Sequence, residues 1–164
     1  NIFCVAGGQE ARVITWPTFQ SSIMIKNTFK KEERLCSVKL IDTLFHKGSS
    51  FVCYPYRIVF YSPSEDSGLI LANSSTQVIL SVSKRRFKRA VDRNLMKRRM
   101  KECYRLQKND GLAPFLKEHQ LPLLFTIQYV GKGLLMYDFL YSHMEKALLK
   151  LQNECSKLYL AKDN

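Results

Sequence analysis

Ser81–Lys108 reads SVSKRRFKRAVDRNLMKRRMKECYRLQK, and its charge decides how the rest of the chain is read. Twelve basic residues stand between Lys84 and Lys108: Lys84, Arg85, Arg86, Lys88, Arg89, Arg93, Lys97, Arg98, Arg99, Lys101, Arg105 and Lys108. Only Asp92 and Glu102 oppose them, a net of +10 in 25 residues against +12 for all 164. Charge this dense repels itself unless a polyanion neutralises it, and clustered Lys and Arg are the electrostatic footprint of nucleic-acid binding.

The charge is also patterned. At helical spacing Arg93, Asn94, Lys97, Arg98, Lys101, Arg105 and Lys108 fall within one arc of about 140°. Leu95, Met96, Met100, Cys103 and Leu106 fill the opposite arc, which predicts an amphipathic helix with one face for a core and one for an anion. Arg99 is the single charge in the apolar arc, where its stem is expected to follow the core edge with the head in water. A merely solvated helix face would mix both signs in i,i+4 pairs, and acids are nearly missing here.

Val82-Ser83-Lys84-Arg85, followed by Arg89-Ala90-Val91-Asp92-Arg93-Asn94-Leu95-Met96-Lys97-Arg98, resembles the signature of the bacterial ribonuclease P protein component. That family shows a V-S-K-K run, a short loop, then A-V-x-R-N-R-x-K-R on a helix. Leu95 stands where the family most often has a basic residue, and Lys101 where arginine is common. The resemblance extends upstream. Arg34-Leu35, Lys39–Phe45 and Gly48-Ser49-Ser50 are similar to the family's R-L, short helix and G-x-S turn, with Gly48 expected to cap the helix. Ile41 replaces the first of two aromatics the family often carries on that helix, and Phe45 keeps the second, either in the core or in a substrate cleft.

Tyr54–Ser62 alternates as a strand, with Tyr54, Tyr56, Ile58 and Phe60 suited to the core and Arg57 and Tyr61 on the other face. Those two are either an ordinary solvent-facing pair or a phosphate contact with a stacking ring. Pro63–Ser75 reads as a loop. Gln77–Ser83 is a strand with Val78, Leu80 and Val82 on one face and Ile79, Ser81 and Ser83 on the other. Gly111 and Pro114 end the basic helix, Leu121–Val130 is a largely apolar, central strand, and Tyr137–Leu151 is an amphipathic closing helix. The order is α-β-β-α-β-α, with room for one further short strand. The resemblance implies an α+β sandwich of the ribosomal protein S5 domain 2-like kind, with a small mixed sheet and a left-handed β-α-β crossover. Residues 1–23 lack sustained periodicity and are expected to be an extension outside a single domain spanning 24–155; Ser156–Asn164 are expected to fray.

Other chemistry is mostly excluded. His46, His119 and His143 have no ligand-spaced partners, and no carboxylate cluster suggests a protein-built metal site. Phosphate-binding glycine motifs and a nucleophile elbow are missing. Five scattered cysteines without a C-x-x-C fit a reduced cytoplasmic setting, and no run is long and apolar enough to span a membrane. A DNA-recognition helix lacks its helical partner, since a strand precedes the basic element. A membrane-surface helix would need the apolar face that the core requires.

What the resemblance implies is an RNA-binding subunit without catalytic residues of its own. Lys84, Arg85, Arg89, Arg93, Asn94, Lys97, Arg98, Lys101 and Arg105 would dock a catalytic RNA subunit. Phe45, Arg57, Tyr61, Ser81 and Ser83 would hold the single-stranded 5′ leader of precursor tRNA. Magnesium would be held by the RNA, not by a protein motif. The alternative is a structural or ribosome-associated RNA binder with no processing role.

Overall fold

The computed structural model describes residues 27–63 and 76–160. The expectations for residues 1–23 and for most of the Pro63–Ser75 loop lie outside the described residues. The elements, in chain order, are α1 (Val38–Lys47), β1 (Ser49–Cys53), β2 (Tyr56–Tyr61), β3 (Thr76–Val82), α2 (Ala90–Gln107), α3 (Leu112–Glu118), β4 (Leu123–Tyr129) and α4 (Tyr137–Cys155), which runs into a π-helical turn, Ser156–Leu160. The strands form one mixed sheet in the order β1-β2-β4-β3. β3 and β4 are parallel and joined through α2 and α3; the other pairs are antiparallel.

β4 explains the layering. Its sequence LLFTIQY offers apolar side chains on both faces, and every residue but Gln128 is buried. One face carries Leu123, Phe125, Ile127 and Tyr129 into the main core with Tyr56, Ile58, Phe60, Val78 and Val82, beneath α2 and α4. Burying a side chain such as Phe125 or Ile127 stabilises the fold by about 1.5–3 kcal/mol. The opposite face packs Leu124 and Val59 against Leu35, Leu40 and Leu44 beneath α1. The sheet is therefore covered fully on one side and partly on the other.

Several sequence expectations change. The further short strand exists as β1, and it takes Ser49 and Ser50 out of the expected turn. Tyr54 leaves the strand for the tight β1–β2 turn, whose Tyr54–Pro55 peptide is cis, and its side chain is 51 % exposed rather than core. Gly48 ends α1 in extended backbone, not the left-handed cap, while its N–H still donates to Leu44 O at 3.0 Å. Glycine is needed there because a Cβ would sit 2.2 Å from Leu44 O and 3.0 Å from Phe60 O. Pro114 does not break structure; it occupies the first turn of α3, where its missing N–H costs nothing. Of the expected tail, Ser156–Leu160 pack onto the fold, with Tyr159 edge-on to Phe60 and its hydroxyl accepting a hydrogen bond from Ser62 N–H at 3.2 Å, while residues 161–164 lie outside the described residues.

The segment before α1 is fastened along α2 and β3. Asn109 donates to Asn27 Oδ1 at 2.6 Å, and Phe29 meets Tyr104 edge-on at 5.8 Å. Lys108, only 8 % exposed, donates from Nζ to Thr28 O and to Glu33 Oε2, both at 2.5 Å. Leu35 and Glu33 then bond the edge of β3 at Val78. Neutralising Glu33 alone leaves a largely buried ammonium without its counter-charge, with only neutral acceptors, the Thr28 carbonyl and an amide oxygen, in reach. Glu33→Gln is expected to cost about 2 kcal/mol in urea unfolding, below the roughly 3–5 kcal/mol of a fully buried pair because Glu33 stays 23 % exposed. Lys108→Met, which keeps the stem and removes the charge, should cost less.

Burial also raises acidic groups in the main core. The Cys103 thiol moves from the usual 9 up to about 11, and Cys155 up to about 12. Buried Tyr56 and Tyr104 phenols shift in the same direction. Between pH 9 and pH 11 the unfolded chain has released thiol protons that the folded chain retains, so stability falls as pH rises through that window. Unfolding midpoints measured across it should drop, and Cys103→Ala/Cys155→Ala should flatten the drop.

Candidate nucleic-acid interface

The basic run divides into a loop and a helix. Phe87, the one aromatic in the loop, is buried against Tyr129 with ring centres 5.8 Å apart. Pinning Phe87 inward turns Lys84, Arg85, Arg86, Lys88 and Arg89 outward, and all five are exposed. Ser83 shapes the turn: its Oγ accepts from Arg85 N–H at 3.2 Å, and its carbonyl accepts from the N–H groups of Arg86 and Phe87. Sequence reasoning passed over Phe87, although a lone apolar residue among cations was a usable signal.

α2 begins without a side-chain cap at Arg89. Arg93 instead folds back, its guanidinium donating to Phe87 O at 2.8 Å and Lys88 O at 2.7 Å. It locks the loop to the helix. Three further cations are likewise spent on the chain's own carbonyls. Arg99 donates to Leu135 O at 2.7 Å, so its head is not simply in water. Arg105 donates to Asn27 O and pairs with Glu102 at 2.5 Å, and this hydrogen bond holds the Glu102 carboxyl below its usual range. Lys108 holds the N-terminal segment as described. Arg105 is thereby charge-compensated within the chain. Asn94, Lys97 and Arg98 are exposed on α2, and half-buried Lys101 lies 5.4 Å from the Phe29 ring centre. Leu95, placed in the apolar arc by spacing, is 36 % exposed at its rim.

The expected leader residues do not all come together. Strand register sets Val52, Arg57, Gln128 and Ser81 side by side in one row across the sheet face that α1 leaves partly open. Arg57, Ser81, Ser83, Arg86 and Gln128 line a groove of about 380 Å³ there. Arg57 is exposed and reaches Ser50 Oγ at 3.5 Å. Tyr61 lies two rows away, packed against the small core beneath α1. Phe45 is 49 % exposed on α1, so it is not a core residue, but it does not line the groove either. Gln128 and Arg86 belong to the groove and were missed. Gln128 was legible as the polar member of an apolar strand; Arg86 was not, because only the loop's path turns it toward the sheet.

Among the described residues no three His, Cys, Asp or Glu side chains come together as metal ligands. Among the same residues no helix is long and apolar enough to cross a membrane. These features define an α+β protein whose exposed chemistry is a cationic loop and helix beside a polar sheet groove.

The family model described as Ribonuclease P matches residues 29–151. Ribonuclease P protein components from two Porphyromonas gingivalis strains, ATCC 33277 and W83, are 35 % and 37 % identical over 121 residues, covering 74 % of this chain and 84 % of each relative. The Staphylococcus aureus RNase P protein structure aligns with a TM-score of 0.47 at 15 % identity, over 73 % of this chain and 94 % of that one. The chain belongs to the ribonuclease P protein family, the protein components of a ribonucleoprotein nuclease of tRNA processing.

The split between exposed and self-compensated cations is measurable. Arg98→Ala should reduce the slope of log K against log salt for RNA binding by about 0.7–0.9, with stability unchanged within about 0.5 kcal/mol. Arg105→Ala should do the reverse, lowering stability while leaving the slope nearly unchanged. RNA titrations at several salt concentrations, paired with urea unfolding, separate the two.

Proposed function

We propose that this chain binds the catalytic RNA subunit of ribonuclease P and the 5′ leader of precursor tRNA, promoting endonucleolytic removal of the leader to give the mature 5′ end. The observation that carries this reading is the concentration of exposed cations on one loop and one helix face, Lys84, Arg85, Lys88, Arg89, Lys97 and Arg98, in a chain of this family. They would meet phosphates of the RNA subunit. Around six such contacts give a slope of log K against log salt of roughly −4 to −5. Arg93 supports the surface indirectly, by fixing the loop that presents it.

Arg57, Ser81, Ser83, Arg86 and Gln128 would take the leader: two guanidinium groups for phosphate, hydroxyl and amide groups for sugar and base edges. Half-exposed Phe45 lies outside that groove and would meet the leader only as it continues past α1. The cleavage chemistry, with its magnesium, would reside in the RNA, and the setting would be the cytoplasm.

The test is cleavage of labelled precursor tRNA by the cognate catalytic RNA at low magnesium, with and without the protein. Stimulation is expected. It should fall about tenfold or more for Lys97→Ala/Arg98→Ala, the scale of two lost charge-assisted contacts. Tight RNA binding without stimulation would instead identify a structural RNA binder.

A further inference from the structure

β3 is an edge strand, and its outer edge is only half covered. Val78 N–H donates to Glu33 O at 2.8 Å, and Leu35 N–H donates to Val78 O at 3.0 Å. Alternate residues of a strand direct their main-chain groups to the same side, so Leu80 turns its N–H and C=O to this edge as well. After Leu35 the chain departs toward α1, and no backbone group among the described residues bonds Leu80 there. A pocket of about 300 Å³ opens at this point, bounded by Leu80, Leu35 and Cys36 and by Lys97 and Lys101 of α2. Phe29 forms an aromatic wall, held edge-on by Tyr104, with Arg34 5.5 Å and Lys101 5.4 Å from its ring centre.

We propose that this pocket receives a single unstacked nucleobase of the bound RNA. The Leu80 main chain would offer one donor and one acceptor to the base edge, and Arg34, Lys97 and Lys101 would meet the flanking phosphates. The inference rests on the RNA-binding reading above and adds a base-binding site to a surface otherwise assigned to phosphates. Three observations favour it. The volume lies at the small end of ligand pockets, suited to one ring system. The rim is cationic and the walls apolar, the combination that unstacked bases and their phosphates require. An added peptide strand fits poorly, because residues 33–35 already occupy the edge at Val78 and, among the described residues, Leu80 and Val82 are what remains open, too short a run for strand addition.

Cys36 is exposed at the pocket and serves as a built-in reporter. The full chain is treated with N-ethylmaleimide alone, with a single-stranded RNA hexamer, and with the same hexamer made abasic, each at equal occupancy. Peptide-resolved mass spectrometry reads Cys36 against half-buried Cys53 on β1. The expected result is that the base-bearing hexamer slows Cys36 alkylation at least about fivefold more than the abasic one, and that Cys36→Trp weakens hexamer binding by about tenfold. Equal protection by both hexamers would overturn base insertion while leaving phosphate binding in place. Binding without Cys36 protection would overturn the pocket's role and spare the RNA-binding reading. Failure of either hexamer and of the cognate catalytic RNA to bind would overturn that reading itself. Protection by poly-glutamate but by neither RNA would assign the pocket to an acidic peptide.

Discussion

The structure depends on the burial of β4 on both faces. A strand that is apolar on alternate and intervening positions alike must be covered twice, so helices are required on each side of a four-stranded sheet. α2 and α4 supply one layer. The short α1 supplies the other and, with ten residues, cannot cover the whole face. The half it leaves open is where register aligns Arg57, Gln128 and Ser81. The groove is thus a consequence of unequal cover over a strand that cannot be left exposed.

The same economy governs the basic run. A helix carrying so many cations must still bury one side, and the fold resolves this by giving Arg93, Arg99, Arg105 and Lys108 main-chain carbonyls to hold. Together they join α2 and its C-terminal end to three other segments: the basic loop, the approach to α4, and, through both Arg105 and Lys108, the stretch before α1. Charge that repels itself in the sequence becomes stitching in the fold. The remaining exposed cations, concentrated on the loop and one helix face, form a polyanion-facing surface whose field is directional because the buried group faces elsewhere.

Phe87 and Phe29 show how aromatic residues organise that surface. Phe87 is driven inward by hydrophobic burial, and the five cations around it are displayed as a result. Phe29 is held against Tyr104, so the chain leading to α1 runs beside α2 and brings Arg34 near Lys101. Neither aromatic touches the anion-facing charges by sequence adjacency alone; each sets them through the backbone it anchors.

The sequence by itself determined the amphipathic basic helix, the alternating strands and the doubly apolar β4, because these follow from periodicity and residue type within short windows. It also carried the family, through a spaced signature in which the order of residue types is unusual. It did not determine which cations are free. Arg98 and Arg105 sit on the same predicted helix face, yet one is exposed and the other is bound to Glu102 and to Asn27, 78 residues away. Nor could it separate Tyr61 from Arg57, which share a strand face but are divided by the cover of α1. Both outcomes rest on contacts between segments far apart in the chain. Local pattern encodes which side a residue faces; only the assembled tertiary structure decides what meets it there.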